Sequence, residues 1–204
     1  MTAADRRQAL REGLIAAAGQ AIAAEGLAGL RARDLARDVG CALGAIYNVF
    51  ADLDDLVLAV NARTLAVLER DLARARPPGD PQGAEAAIAA LEALALAYAD
   101  FAAANMLRWR AVFDHRLPRG RSVPDWYVSE QARLFDYVAA PLRALQPRLV
   151  AAERALLARS LFSAVHGVVV LGLEEKLQAM PREVLRRQVA TVVTALARGL
   201  RDPG

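Results

Sequence analysis

Few side chains in this sequence could carry out covalent or acid–base chemistry. It has two histidines, His115 and His166, and one cysteine, Cys41. Ser163 stands three residues before His166, yet neither an acidic partner nor an oxyanion loop accompanies the pair. No glycine-rich phosphate loop occurs, and no group of His, Cys, Asp and Glu has metal-ligand spacing. The sequence therefore predicts no catalytic residue, no metal and no cofactor. A single cysteine excludes an intrachain disulfide and suits a reducing compartment. Cys41 itself reads as a small apolar residue in a turn. What remains is recognition of anions. The basic residues are nearly all arginine, Lys176 being the one lysine, and a guanidinium makes bidentate phosphate contacts that an ammonium does not. A genome rich in G and C gives the same arginine and alanine bias without functional meaning. The net charge of +3 and pI near 9.5 are a mild pointer to an anionic partner.

The elements that must position these residues read as helices throughout. Of 204 residues, 55% are hydrophobic and 24% charged, which excludes wholesale disorder. Much of the apolar share is alanine, a helix former. Apolar positions recur at three and four residues and no alternating strand appears. The spacing predicts an all-α chain of about nine helices, over about 5–25, 31–39, 42–49, 52–76, 82–104, 106–115, 124–145, 148–177 and 181–200. Gly26 stops the first, Asp52 caps the fourth, and Pro141 kinks the seventh or ends it early. Pro77-Pro78-Gly79-Asp80-Pro81 is the strongest break, and Leu117 to Val123 is a basic loop. Val168, Val169 and Val170 are read as β-branched residues within a helix. Uninterrupted apolar runs such as Ser160 to Leu173 fall short of the roughly 18 residues a membrane span needs. Arg6, Arg7 and Arg11 before Gly13–Ala24 mimic a signal peptide, but Asp5, Glu12 and Gln20 interrupt it, so a helix is expected there.

The informative stretch is Arg31 to Leu56. Ala36, Gly40 and Ile46 have the spacing of a helix-turn-helix. Small Ala36 admits a second helix, Gly40 takes the tight turn, and Ile46 closes a core with Leu35, Val39 and Val49. Gly40, Gly44, Tyr47 and Phe50, followed by Asp54-Asp55-Leu56, resemble the tetracycline-repressor (TetR) family of bacterial regulators, as do the helix end at Gly26 and the run Arg33-Asp34-Leu35-Ala36. The resemblance covers about residues 8 to 60. It implies a three-helix, homeodomain-like DNA-binding domain over 1–52. A larger helical effector-binding and dimerisation domain would follow over 53–204, with 53–76 as the linking helix.

The same resemblance assigns roles. Ala42, Leu43, Gly44, Ala45, Tyr47 and Asn48 form the recognition helix, which enters a major groove of double-stranded DNA. Tyr47 bonds a phosphate, and Asn48 reaches a base edge or a phosphate. Gly44 allows close approach, Arg31 and Arg33 contact flanking phosphates, and Arg6 and Arg7 lie by the adjacent backbone or minor groove. Phe50 is core. Four departures stand out: Ala42 replaces a capping Ser or Thr, Leu53 a phosphate-gripping Lys, and Arg31 a common Thr, while Cys41 to Val49 carry no charge. Over residues 1–52, six arginines meet six carboxylates, a net of zero, so DNA affinity draws less than usual on phosphate neutralisation.

In the last two helices, Leu185, Val189, Val192 and Leu196, and Leu157, Leu161, Val168 and Gly172, mark apolar faces fit for a four-helix dimer interface. Ordinary core is the competing reading. Aromatics concentrate in the middle of the chain: Tyr98, Phe101, Trp109, Phe113, Trp126, Tyr127, Phe135, Tyr137 and Phe162. These, with His166, either line a pocket for an apolar small-molecule effector or form the core of the bundle. Trp109 with His166-Gly167 resembles a C-terminal subtype of the family named for Trp, His and Gly. The whole predicts a cytoplasmic, homodimeric, ligand-responsive repressor without a membrane partner. The alternative is a helix-turn-helix scaffold that binds a protein and has lost specific DNA binding.

Overall fold

The computed structural model describes residues 2–201, apart from the side chain of Lys176. The last three residues of the expected C-terminal domain lie outside the described residues. Among those described there are nine α-helices and no strand: α1 Ala3–Glu25, α2 Ala32–Val39, α3 Leu43–Tyr47, α4 Leu53–Ala75, α5 Ala84–Ala104, α6 Met106–Asp114, α7 Asp125–Leu145, α8 Ala151–Gly172 and α9 Arg182–Gly199. Short 3-10 turns occupy Leu27–Gly29 and Glu175–Leu177.

The helix ends have local causes. Thr2 and Asp5 cap α1 reciprocally, each side chain accepting from the other's backbone N–H. Gly40 ends α2 in the left-handed conformation, φ 72°, ψ 37°, which a residue with a Cβ adopts only at a cost. The Asp55 N–H donates to Asp52 Oδ1 at 2.9 Å, so Asp52 caps α4. α7 runs through Pro141 to the expected end at Leu145, so the proline does not end it early. One expectation is corrected. The eighth helix stops at Gly172 rather than near 177. There the chain turns back, with Met180 N–H bonded to the Gly172 carbonyl at 2.7 Å. Gly172 is also where α9 comes closest: a Cβ built on it would lie 2.7 Å from Leu185 Cδ1.

The chain forms two compact units. The first comprises the residues up to Ala66 together with Asn105–Val128, and so holds α1–α3, the first half of α4, α6 and the start of α7. Its core joins Leu14, Ile15, Ala18 and Ile22 of α1 to Leu35, Ala36, Ile46, Phe50 and Leu56. Ala111 of α6 belongs to the same core. Polar ties reinforce it. Asn61 Nδ2 donates to the Ala111 carbonyl at 3.0 Å, and Arg108 Nε donates to the Gly19 carbonyl at 3.1 Å.

The second unit comprises Val67–Ala104 and the chain from Ser129 on. Alanine-rich α5 runs through it, buried at Ala87, Ile88, Leu91, Leu94, Tyr98 and Phe101, and packs chiefly against α9. Small side chains let helix axes approach closely, which compensates for their modest individual burial. Helices α5 and α8 are long and apolar enough, by length and composition, to cross a membrane. Counting uninterrupted apolar runs misses them because each carries scattered charges. More than half of α5's most apolar stretch is buried within the protein, as in any bundle core, against 28% for α8.

Candidate nucleic-acid interface

The first unit presents one helix with its functional candidates outward. In α3, Ile46 is fully buried while Tyr47 next to it is 49% exposed. Ala42, Leu43, Gly44 and Asn48 are exposed as well, and Ala45 is half-buried. The periodicity follows from the anchor: with Ile46 and Phe50 in the core and Val49 packed against it, Tyr47 and Asn48 point outward. No neighbouring atom lies within 4 Å of a Cβ built on Gly44. The surface there is open enough for a second molecule's backbone to come close. Arg31 and Arg33 at the start of α2 are exposed, as are Arg6 and Arg7 in α1. Arg37 is engaged by Asp34 at 2.9 Å and Asp38 at 3.3 Å. Cys41 is half-buried in the turn.

Beyond α3 lies an acidic turn that sequence reading treated only as a motif. Asp52, Asp54 and Asp55 open α4, and residues from the α6–α7 connection reach them. Arg121 pairs with both Asp52 and Asp55, and His115 Nε2 is 2.8 Å from Asp54 Oδ1. No local signal reveals these ties, since their partners are separated by 61 to 69 positions. Asn61 was also missed. It is 1% exposed and sits beside the hydroxyl of buried Tyr127. Burial pushes that hydroxyl's pKa up to about 12, the neighbouring Asn61 offsetting it only partly, so Tyr127 stays neutral. The signal available was a lone Asn directly after the apolar run Leu56–Val60.

The aromatic candidates divide between the units. In the second, Tyr98, Phe135, Phe162 and His166 come together from α5, α7 and α8. The Tyr98 hydroxyl lies 2.6 Å from His166 Nδ1. Phe162 stacks on His166 at 5.4 Å and meets Tyr98 and Phe135 edge-on at 5.3 and 5.4 Å. Phe101 is buried on α5. Trp109 and Phe113 pair in the first unit at 5.6 Å, as do Trp126 and Tyr127 at 5.5 Å. Trp109 and His166 thus fall in different units. A separate cavity of about 250 Å³ in the second unit is lined by Arg76 to Gln82, α5 and, on α7, Tyr137 and Pro141.

The dimerisation candidates also divide. Leu161, Gly172, Leu185 and Val189 are buried within the chain itself. Leu157, Val168 and Val192 are half-buried, and Leu196 is 39% exposed. Among the described residues no cluster of His, Cys, Asp and Glu could hold a metal ion.

Comparison with known proteins places this arrangement. The fold is shared with a protein of unknown function from Rhodococcus sp. RHA1 at 25% identity, over 94% of this chain and 93% of that one, with a TM-score of 0.68. The TetR-family transcriptional regulator PfmR from Thermus thermophilus matches at 19% identity, over 88% and 96%, TM-score 0.58. The fatty acid degradation regulator FadR from Bacillus halodurans matches at 17% identity, over 90% and 97%, TM-score 0.62. No curated protein matches in sequence. The family model of the tetracyclin repressor-like C-terminal domain matches residues 91–196, just over half of the chain. With a helix-turn-helix before it and the regulators' fold throughout, the chain belongs to the tetracyclin repressor-like (TetR) family and has the fold of its transcriptional regulators.

Proposed function

We propose that the protein is a cytoplasmic bacterial transcriptional regulator, acting as a repressor that binds a palindromic operator as a homodimer and leaves it when an apolar small molecule binds. One observation carries the reading: a short helix anchored by buried Ile46 leaves Leu43, Gly44, Tyr47 and Asn48 exposed, with open space beside Gly44. Tyr47 and Asn48 supply hydrogen bonds to phosphate or base edges, and Arg31 and Arg33 supply flanking charge. In a dimer the two copies of α3 stand about 34 Å apart, one duplex turn. The half-exposed side of α8 and α9, with Leu157, Val168, Val192 and Leu196, is the candidate dimer face. The cluster of Tyr98, Phe135, Phe162 and His166 is the candidate effector site, where a hydroxyl–imidazole pair orients an otherwise apolar ligand. The fatty acid degradation regulator among the structural neighbours suits an apolar effector. Effector binding need supply only about 1–3 kcal/mol of coupling to shift operator occupancy.

The test is a fluorescence-anisotropy titration onto duplex DNA from around the protein's own gene, at two salt concentrations. The expected result is binding that weakens with salt and that falls by about tenfold or more in Tyr47→Ala. The uncharged stretch Cys41–Val49 and the neutral balance of residues 1–52 favour one second reading, a scaffold for a protein partner. No binding beyond that of a scrambled duplex, with an empty genome-wide pull-down, would replace the regulator by that scaffold.

A further inference from the structure

The basic connection between α6 and α7 has no part in the reading so far. Within the first unit it grips the start of α4. Arg121 bonds Asp52 with one guanidinium nitrogen and Asp55 with the other, and Asp54 Oδ2 lies 4.0 Å from the first. His115, at the other end of the connection, holds the remaining oxygen of Asp54. Three carboxylates on one turn of helix repel one another. They also follow Tyr47 by five to eight residues, where uncancelled negative charge opposes the approach of a phosphate backbone. Residues 1–52 carry no net charge to overcome that opposition. Part of the offsetting charge comes instead from 69 positions away. A planar fork can bridge two carboxylates in fixed geometry, which a lysine cannot.

The tie also has mechanical consequences. α7 begins at Asp125, four residues after Arg121, and continues into the second unit, as α4 does. Arg121 therefore fastens together, inside the first unit, the two helices that leave it for the second. We propose that Arg121 is a positioning residue for DNA recognition: it pins the first turn of α4, and with it the helix-turn-helix, and it offsets part of the negative charge of that turn. The inference rests on the DNA-binding reading above.

The experiment compares the full-length protein with Arg121→Ala, with Arg121→Lys, and with Arg121→Ala combined with Asp52→Asn and Asp55→Asn. Asparagine keeps the helix cap. Amide hydrogen exchange over residues 43–60 reads the pin without DNA, and anisotropy on the operator duplex reads its consequence. Arg121→Ala is expected to speed exchange in that segment and to weaken DNA binding roughly five- to tenfold. The salt slope should stay unchanged, because no phosphate contact is lost. Arg121→Lys falls between, and the triple variant regains only the part of the affinity lost to uncompensated charge, while exchange stays fast and the part lost with the pin does not return. Unchanged exchange in Arg121→Ala overturns the proposal. So does a salt slope shallower by about one with no rescue in the triple variant, which makes Arg121 a direct phosphate contact. If the parent protein binds no DNA, the regulator reading fails by itself, and the exchange arm still decides whether Arg121 pins α4.

Discussion

The two units solve different problems with the same kind of element. The first holds a five-residue helix in place, which is too short to persist on its own. It does so with bulky aliphatic anchors and with ties from distant segments: Asn61 to Ala111, Arg108 to Gly19, and Arg121 to Asp52 and Asp55. The second packs long, alanine-rich helices at close range and brings its polar pair, Tyr98 and His166, from positions 68 apart. On the function proposed above, a surface that meets DNA needs few residues but rigid backing, which fits a contiguous motif with scattered support. A site that takes a small molecule needs side chains from several helices, which fits a scattered cluster.

The sharpest way to separate the units is to break one anchor in each. Ile46→Ala removes a fully buried side chain from the first unit and is expected to cost about 2–5 kcal/mol. Both tryptophans, Trp109 and Trp126, belong to that unit, so urea denaturation followed by tryptophan fluorescence reads the loss. Operator binding should vanish with it, while most of the helical circular dichroism survives to higher urea. Gly172→Ala acts on the second unit. Its Cβ meets Leu185, itself 1% exposed. As the last residue of α8, Gly172 gains little helix propensity from alanine, so overpacking is expected to cost about 1–3 kcal/mol in the circular-dichroism transition. A loss in the fluorescence transition instead would show that the units do not unfold separately.

The same contrast explains what could be read in advance. All nine helices are visible as periodicity, and the helix-turn-helix is visible because Ala36, Gly40, Ile46 and Phe50 act within one short stretch. The stop at Gly172 is not visible, since it depends on Leu185 closing over the glycine and on Met180 folding back to its carbonyl. Periodicity likewise cannot tell a partner's surface from the chain's own core. Leu185 and Val189 satisfy the apolar stripe as well as Val192 and Leu196 do, yet the first two are buried against their own chain. The aromatics look like one group along the sequence. They separate because α6 and the start of α7 belong to the first unit, and α5 and α8 to the second. The acidic turn of α4 was legible as a motif, but the Arg121 that answers it was only part of a basic loop.

Gly44→Ala sharpens the comparison further, since it separates folding from recognition inside the first unit. Nothing stands within 4 Å of the added methyl group, and alanine favours a helix over glycine by about 0.5–1 kcal/mol. The variant should therefore be slightly more stable by the fluorescence measurement. If α3 approaches a phosphate backbone closely, the same methyl group weakens operator binding. Higher stability together with weaker binding supports the docking face. Higher stability with unchanged binding means that position 44 does not meet DNA.

The smallest expected effect tests the second unit through pH. Asp100 on α5 takes two arginines from α9: Arg182 Nη2 lies 2.9 Å from Oδ1, and Arg186 bonds Oδ2. Burial raises the pKa of this carboxyl, but the hydrogen bonds and charges of Arg186 and Arg182 outweigh that and hold it below the ordinary value. A carboxyl with a depressed folded pKa contributes stability that is fully present above its unfolded value of about 3.9 and is lost as pH falls through the folded value. Acidification from neutral to below pH 4 should thus loosen the α5–α9 contact. In Asp100→Asn the second unit should start less stable at neutral pH and lose less on acidification. Parallel pH profiles for the parent and the variant would mean that solvent already screens this pair, leaving α5 and α9 held by apolar packing and the Thr194–Glu92 hydrogen bond, unlike the ion-tied first unit.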